Sequence, residues 1–491
     1  MKNQKLSENQ KLVLVSGLLG FVLYVLLLLG RPHVGWCDDV FFADWIYQMA
    51  ENNSFLSTAW GAKPCYFPLY TIFMVGWVKV FGFSYVSIHI PNILFALVSY
   101  LIIALSLVNY KLIQKKWSVL GFSLCYWFGN SLFWNFNNGR VESLALLIAV
   151  VTIYMYAKYI SSKNYTSLIA FIFCSFLMGM TAVQGLIVVF VIIFLHFCLT
   201  FKESIRKWYV YLLYGVGYGF GFLTTCIFFF FNNGLKRFIR ATFGSSPTIL
   251  NAFVKLANTL SPGAWELDVS TISTSNLSFI EKVHSLTYNG ILMNKENWVI
   301  LALIILVFII LIIKGKVKGL PIWTKIFCLS TILLPSLYVV MGRYTLYYTW
   351  GVYVISICTL FILLEYVRRD FMLSSLLCAS TFVYFWSFPH YKNYVKFDFD
   401  KSINAKYASD IECIGVDTTK YTVVPYEWYY FLNETHPKLY FYFHSQPCVE
   451  EIICPPKEEK YWREQYEIEE ILRTDNYCKF KVVSYKGDII N

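Results

Sequence analysis

Apolar runs of membrane-spanning length recur along this chain to about residue 390, and no other feature constrains its fold so strongly. A helix that crosses a bilayer needs about 20 mainly apolar residues. Backbone inside the bilayer must satisfy its own hydrogen bonds, so such runs form helices. Spans are predicted at residues 12–30, 87–109, 118–136, 140–158, 166–180, 183–201, 208–231, 298–314, 322–341, 345–366 and 371–389, about eleven in all. Only 14% of the 491 residues are charged and 57% are hydrophobic, whereas soluble domains carry about 25% charged residues. That stock excludes a soluble enzyme, a disulfide-rich secreted domain and a disordered chain. The 19% aromatic content exceeds what lipid-facing helices require and suggests interfacial belts and buried grooves.

Sidedness follows from where the cations lie. Lys111, Lys115 and Lys116, then Lys158 and Lys163, then Lys202, Arg206 and Lys207, then Lys314, Lys316, Lys318 and Lys325, then Arg368 and Arg369 all fall in connections on one side. The short turns on the other side hold Arg140 and Arg343. The positive-inside rule therefore puts the start of the chain in the cytoplasm and the tail outside. The net charge of +11 is used up by this asymmetry and implies no nucleic-acid partner.

The expected organisation is a multi-spanning membrane domain over residues 1–390, with a first outer loop at 31–86 and a second large one at 232–297, followed by an extracytoplasmic unit at 391–491. The first loop, broken by Pro64, Pro68 and Gly82, is expected to hold short amphipathic helices. The tail is long enough to fold alone. Strand-like runs at 421–424, 439–443 and 478–485 mark it as a small mixed α/β unit.

Of 13 cysteines, seven lie in predicted helices, Cys37 and Cys65 in the first loop, and Cys413, Cys448, Cys454 and Cys478 in the tail. Even counts in both outer pieces are compatible with disulfides there, the tail allowing three pairings. Free buried thiols are the plainer alternative. No paired Cys or Cys/His spacing suggests zinc.

Acidic residues are scarce, so Asp38 and Asp39, directly after the first span, are informative. Adjacent carboxylates repel unless one binds a cation, pairs with Arg, or has a raised pKa suited to accepting a proton. A solvated loop start or a helix N-cap is the plainer reading. Arg140 and Glu142 sit at the outer junction of the third and fourth spans, where charge is costly without a partner or substrate. Two residues apart on a helix they would not face one another, so Arg140 is expected to reach Asp38, Asp39 or a phosphate. Simple flanking of a helix end is the alternative. A third group, Arg343 with Tyr344 and Tyr347, has the donors to hold a phosphate; as interfacial anchors these residues would look the same. Lys236, Arg237 and Arg240 form a basic stripe that could guide an anionic head group but is expected to be solvated, and His33 is expected to be an interfacial residue rather than a ligand.

Together these residues resemble the polyprenyl-phosphate-sugar-dependent membrane glycosyltransferases of the C type (GT-C), particularly the protein O-mannosyltransferase-like and lipid A aminoarabinose transferase-like branch. The resemblance rests on one helix followed by an outer loop opening with Cys37, Asp38 and Asp39, and on Ala43 and Ala50 before Glu51, Asn52 and Asn53. It continues through Pro68, Leu69 and Tyr70, the Lys79 to Gly82 stretch, Ile90, Pro91 and Asn92, and Arg140 with Glu142. Val424, Pro425, Tyr426, Glu427, Trp428 and Tyr429 resemble an element of the family's outer domain. The likeness covers most of residues 11–235 and is architectural from there to about 390. One departure matters: where many bacterial relatives carry a glutamate before a double proline, this chain has Ala62, Lys63, Pro64, Cys65, Tyr66, Phe67 and Pro68. A metal or amino-sugar role tied to that glutamate does not carry over, and Lys63 and Tyr66 stand there as supporting residues.

The resemblance implies a polyprenyl-phosphate-linked sugar as donor and a glycan, lipid or protein of the cell envelope as acceptor, at the outer face of the bacterial cytoplasmic membrane. Inverting transfer would use Asp38 as general base and Asp39 to orient the acceptor or a divalent cation, a metal that family members do not uniformly need. Arg140 and Arg343, with Tyr344 and Tyr347, would hold the leaving phosphate, whose charge grows in the transition state. No nucleotide-binding glycine loop is present, in keeping with a lipid-linked donor. A transporter or flippase is the competing class, yet it would place ionisable groups near mid-membrane, where these spans are nearly free of them. A non-catalytic lipid-sugar-binding scaffold would keep the fold and tolerate loss of Asp38.

Overall fold

The computed structural model describes residues 6–35, 37–55, 67–232, 234–235, 238–239, 278–285, 287, 295–341, 349–367, 402–432, 438–441 and 448–486. The span expected at 371–389, a Cys37–Cys65 bridge and the stripe of Lys236, Arg237 and Arg240 lie outside the described residues or side chains.

The apolar runs become helices because nothing but their own backbone can satisfy them. Helix α1 (Glu8–Gly30) starts at a capping box in which the Ser7 hydroxyl accepts from the Gln10 N–H. It is followed by α2 (Cys37–Glu51), α3 (Pro68–Phe81), α4 (Tyr85–Asn109), α5 (Lys116–Phe128), α6 (Asn130–Asn137), α7 (Glu142–Ser162), α8 (Tyr165–Gly179), α9 (Val183–Leu199), α10 (Trp208–Phe231), α11 (Lys295–Ile313), α12 (Ile322–Met341) and α13 (Trp350–Leu364). Among the described residues five helices are long and apolar enough to cross a membrane, and five shorter apolar helices accompany them. The protein is an integral, multi-pass membrane protein. Leu18, Leu19, Ile169, Phe220, Phe231, Ile313 and Ile332 are exposed on these helices, as lipid contact requires.

The run expected to be one span at 118–136 is two helices, α5 and α6, that break at Gly129. Space explains the break. A Cβ at Gly129 would collide with the Tyr353 ring, whose hydroxyl donates to the Cys125 carbonyl at 2.7 Å. Close approach through glycine also sets the α8–α10 crossing: Cβ atoms at Gly217 and Gly221 would run into the carbonyls of Ile172 and Phe176, and one at Gly179 into that of Tyr218. Small residues four apart are how membrane helices bring their backbones together.

After the bundle come α14 (Ser402–Ile414) and a five-stranded mixed sheet of β1 (Thr422–Val424), β2 (Leu439–Phe441), β3 (Glu451–Cys454), β4 (Tyr466–Arg473) and β5 (Cys478–Tyr485), in the order β2-β1-β3-β5-β4. β1 pairs in parallel with β2 and β3, whereas β3–β5 and β5–β4 are antiparallel. Short helices, α15 (Tyr429–Leu432) and α16 (Glu459–Gln465), complete it. One face of the sheet, with Val424, Leu439, Phe441 and Ile453, is continuous with the core of the helical bundle. The other face builds a separate small core from Val423, Ile452, Trp462, Tyr466 and Phe480.

No disulfide forms in the tail. Cys413 and Cys448 are exposed thiols, while Cys454 and Cys478, opposite one another in the β3–β5 register, are buried thiols. Both pack as small apolar side chains in the outer core.

Candidate active site

The C-terminal end of α1 and the N-terminal ends of α4 and α7 come together at one end of the bundle, beside the 426–430 turn of the C-terminal unit, and the scarce charges collect there. Six residues separate the end of α1 from the start of α2, and Asp38 and Asp39 fall in the first turn of α2. The Asp38 side chain lies outside the described atoms. Asp39 is 2% exposed. Its Oδ1 accepts the Gly139 N–H at 2.8 Å, and its Oδ2 lies 3.0 Å from His89 Nε2 and accepts from the Tyr430 hydroxyl at 3.4 Å. One carboxylate thus ties α2 to α4, to the bend before α7 and to the C-terminal unit. Gly139 has to be glycine for this, because a Cβ there would strike Asp39 Oδ1 and Ile88.

Burial works against charge on Asp39, but the His89 ring, the Arg31 guanidinium and the Gly139 N–H together outweigh it and hold the carboxyl below its ordinary range. Arg31 lies 5.1 Å from the Tyr85 ring centre and donates to the Asn137 carbonyl at 2.5 Å. Asn92, one turn along α4 from His89, donates to the Tyr70 hydroxyl at 3.3 Å and to the Asn138 carbonyl.

The structure corrects one expectation: Arg140 and Glu142 do face one another, Arg140 Nε and Nη2 meeting Glu142 Oε2 and Oε1 at 3.2 and 2.9 Å, with the two side chains 3% and 1% exposed. The helical rule against an i, i+2 pair does not apply, because α7 begins at Glu142 and Arg140 precedes it in a bend. A bidentate, buried pair holds its charges in compensated form.

Asp44, five residues beyond Asp39 on α2, is a second buried acid. The Tyr429 hydroxyl and Gln48 Nε2 both donate to its Oδ1 at 3.4 Å, and Asn52 donates to Gln48 Oε1 at 2.8 Å. Tyr429 and Tyr430 are neighbours on α15, so this one turn from the C-terminal unit covers both buried acids of α2, Asp39 and Asp44. The same segment is anchored by the Gly35 N–H donating to the Glu427 carbonyl at 3.3 Å. Burial pushes the Tyr429 and Tyr430 phenols well up and raises the Glu427 carboxyl.

Of the residues expected from sequence, Asp39, Arg140 and Glu142 gather at this end, whereas Arg343, Tyr344, Tyr347, Lys63 and Tyr66 lie outside the described residues. His89, Arg31, Asp44 and Tyr430 were not anticipated. His33, the histidine that was singled out, stacks on Tyr85 with ring centres 4.7 Å apart. The signal for His89 was available: a histidine in the first turns of an apolar span is expensive unless partnered.

Among the described residues no cluster of three or more His, Cys, Asp and Glu could hold a metal ion. Asp39 itself does not fit a cation, since an N–H, an imidazole and a hydroxyl already face its two oxygens.

The arrangement is that of a helical membrane protein with a buried acid cluster where its helices meet the C-terminal unit. The chain resembles the crystal structure of ArnT from Cupriavidus metallidurans bound to undecaprenyl phosphate. The TM-score is 0.55 at 10% identity, covering 97% of this chain and 99% of that one. The apo form of the same protein gives 0.44 at 9% identity, covering 96% and 98%. The Archaeoglobus fulgidus oligosaccharyltransferase gives 0.49 at 9% identity, covering 95% of this chain and 73% of that one. No protein-family model and no curated protein sequence matches the chain. At 10% identity the likeness to ArnT is one of fold.

Proposed function

We propose that the protein is a membrane glycosyltransferase that moves a hexosyl or pentosyl unit from a polyprenyl-phosphate donor to a hydroxyl of an envelope glycan, lipid or protein. The observation that carries this reading is the full-length fold likeness to ArnT, a protein crystallised with undecaprenyl phosphate. The Lys and Arg bias supports eleven spans with the start in the cytoplasm and the sheet end outside. The boundary of the outer unit falls near residue 390.

In this reading the donor lipid lies in the bilayer with its phosphate and sugar at the sheet end. The acceptor oxygen bonds to the anomeric carbon as the bond from that carbon to the phosphate oxygen breaks, so the centre inverts. The acceptor proton passes to Asp38 as general base. Asp39, occupied by its partners, is a positioning residue that fixes the first turn of α2. Arg343, with Tyr344 and Tyr347, holds the departing phosphate, and Arg140, fixed by Glu142, is the second cation of that site. Lys63 and Tyr66 support the acceptor side.

The test is transfer of radiolabelled sugar from a panel of polyprenyl-phosphate sugars by purified protein in lipid. Wild-type turnover that Asp38→Asn lowers by about a hundredfold or more, in protein that still binds donor, is the expected result. Donor binding without turnover in any acceptor mixture would sink the enzyme reading in favour of a binding scaffold.

A further inference from the structure

The His89 ring is held between two hydrogen-bond acceptors. Its Nδ1 lies 2.6 Å from the Tyr85 carbonyl oxygen and its Nε2 lies 3.0 Å from Asp39 Oδ2, with the ring 1% exposed. A carbonyl oxygen only accepts, so Nδ1 carries a hydrogen. A neutral ring would then turn the bare lone pair of Nε2 toward a carboxylate oxygen, two acceptors facing each other with no proton between them. The geometry therefore requires one more proton on the Nε2–Oδ2 line than a neutral imidazole and a carboxylate together supply.

We propose that this proton resides on His89, so that His89 and Asp39 form a buried imidazolium–carboxylate pair, and that His89 is the positioning residue that balances the charge of Asp39 beside Asp38. The surroundings favour the ionised carboxylate over a protonated one. Oδ1 accepts a backbone N–H from Gly139, Oδ2 accepts the Tyr430 hydroxyl, and the Arg31 guanidinium acts on the same carboxylate. Among the described charges nearby, Arg140 and Glu142 pair with one another. Aromatic rings surround the imidazole, Tyr85 at 4.3 Å and Tyr430 at 6.1 Å between centres. Their faces suit a cation.

This explains how two consecutive acids coexist in one helical turn. Asp39 is neutralised from α4, so the charge of Asp38 is not doubled by its neighbour. That consequence for catalysis rests on the glycosyl-transfer reading. The protonation state does not.

Two measurements separate them. In bilayers at pH 7.5, protein carrying nitrogen-15 histidine and carbon-13 carbonyl tyrosine identifies His89 by the coupling of its Nδ1 to the Tyr85 carbonyl. Solid-state NMR is expected to find hydrogen on both ring nitrogens. A bare Nε2 would overturn the proposal, whether or not the protein is a transferase. The second measurement is turnover in His89→Gln, Asp39→Asn and the double variant. Each single change breaks the buried pair and is expected to lose about tenfold or more, while the double variant recovers about tenfold over either. Losses that simply multiply in the double variant would overturn the charge-balancing role. Absence of wild-type turnover on every donor would sink the transferase reading, and the NMR result would still decide the pair.

Discussion

Asp39 is where opposing single-residue effects can be weighed. Burial is the largest influence on its carboxyl and raises its pKa, yet His89, Arg31 and the Gly139 N–H bring it below the ordinary value of 3.8. A carboxyl held lower in the folded than in the unfolded chain contributes stability above the unfolded value and loses it as pH falls through the folded one. The thermal midpoint of the purified protein in detergent is therefore expected to drop as pH is lowered below about 4, and Asp39→Asn to flatten that acid limb while lowering the midpoint at pH 7. A limb that Asp39→Asn leaves unchanged would assign the acid sensitivity to other groups. That Asp38, Asp39, Arg140 and Glu142 deserved scrutiny was legible in the sequence, because charge beside an apolar span is rare and costly. Their pairing was not legible. Arg140 found Glu142 because the bend at 138–141 places it outside α7, and Asp39 found His89, 50 residues away, because α2 folds back against α4. Sequence spacing carries neither fact.

At the scale of elements, hydropathy located helices well and their breaks poorly. Windows such as 183–201 and 208–231 correspond to α9 and α10 within two residues at each end, since apolar length alone decides them. The break at Gly129 depends on Tyr353, more than 200 residues on, filling the place of a side chain. Likewise β3 and β4 went unrecognised: the four residues of β3 are buried throughout, with no alternation to read, and β4 is largely exposed. The α8–α10 crossing yields a prediction at this scale. Gly217 and Gly221 leave no room for a Cβ against the carbonyls of α8, so Gly221→Val must push the two helices apart rather than repack a side chain. Overpacking of this kind costs about 1–3 kcal/mol, and with backbone as the obstacle the upper end applies. Gly219, on the same helix but with open space around its Cβ position, serves as the control. Gly221→Val is expected to lower the detergent thermal midpoint clearly and Gly219→Ala hardly at all. Equal midpoints for the two would show that α8 and α10 do not pack through these glycines.

For the molecule as a whole, the decisive feature is that bundle and sheet share one core. The length of the tail suggests a unit able to fold alone, but its inner face argues otherwise. Val424, Trp428, Tyr429, Leu432, Leu439, Phe441 and Ile453 belong to the same continuous core as α2 and α4, and Tyr429 and Tyr430 reach into the acid cluster of α2. Cutting the chain near residue 390 would expose that face. Soluble monomers rarely expose contiguous apolar patches larger than a few hundred Å², and seven large side chains, with three buried aromatics among them, surpass that. The outer core of Val423, Ile452, Trp462, Tyr466 and Phe480 is too small to offset the loss. Residues 391–491 expressed alone are therefore expected to elute from size exclusion as aggregates or to require detergent, and to lack the near-ultraviolet circular dichroism of packed aromatics. A monodisperse, detergent-free monomer with a sharp thermal transition would show that the sheet is self-sufficient. In that case its contacts with Asp39 and Asp44 would be those of a docked lid. If instead the fragment fails as expected, the sheet is part of the wall of the site, and the acids of α2 take their final positions only when the last hundred residues have folded over them.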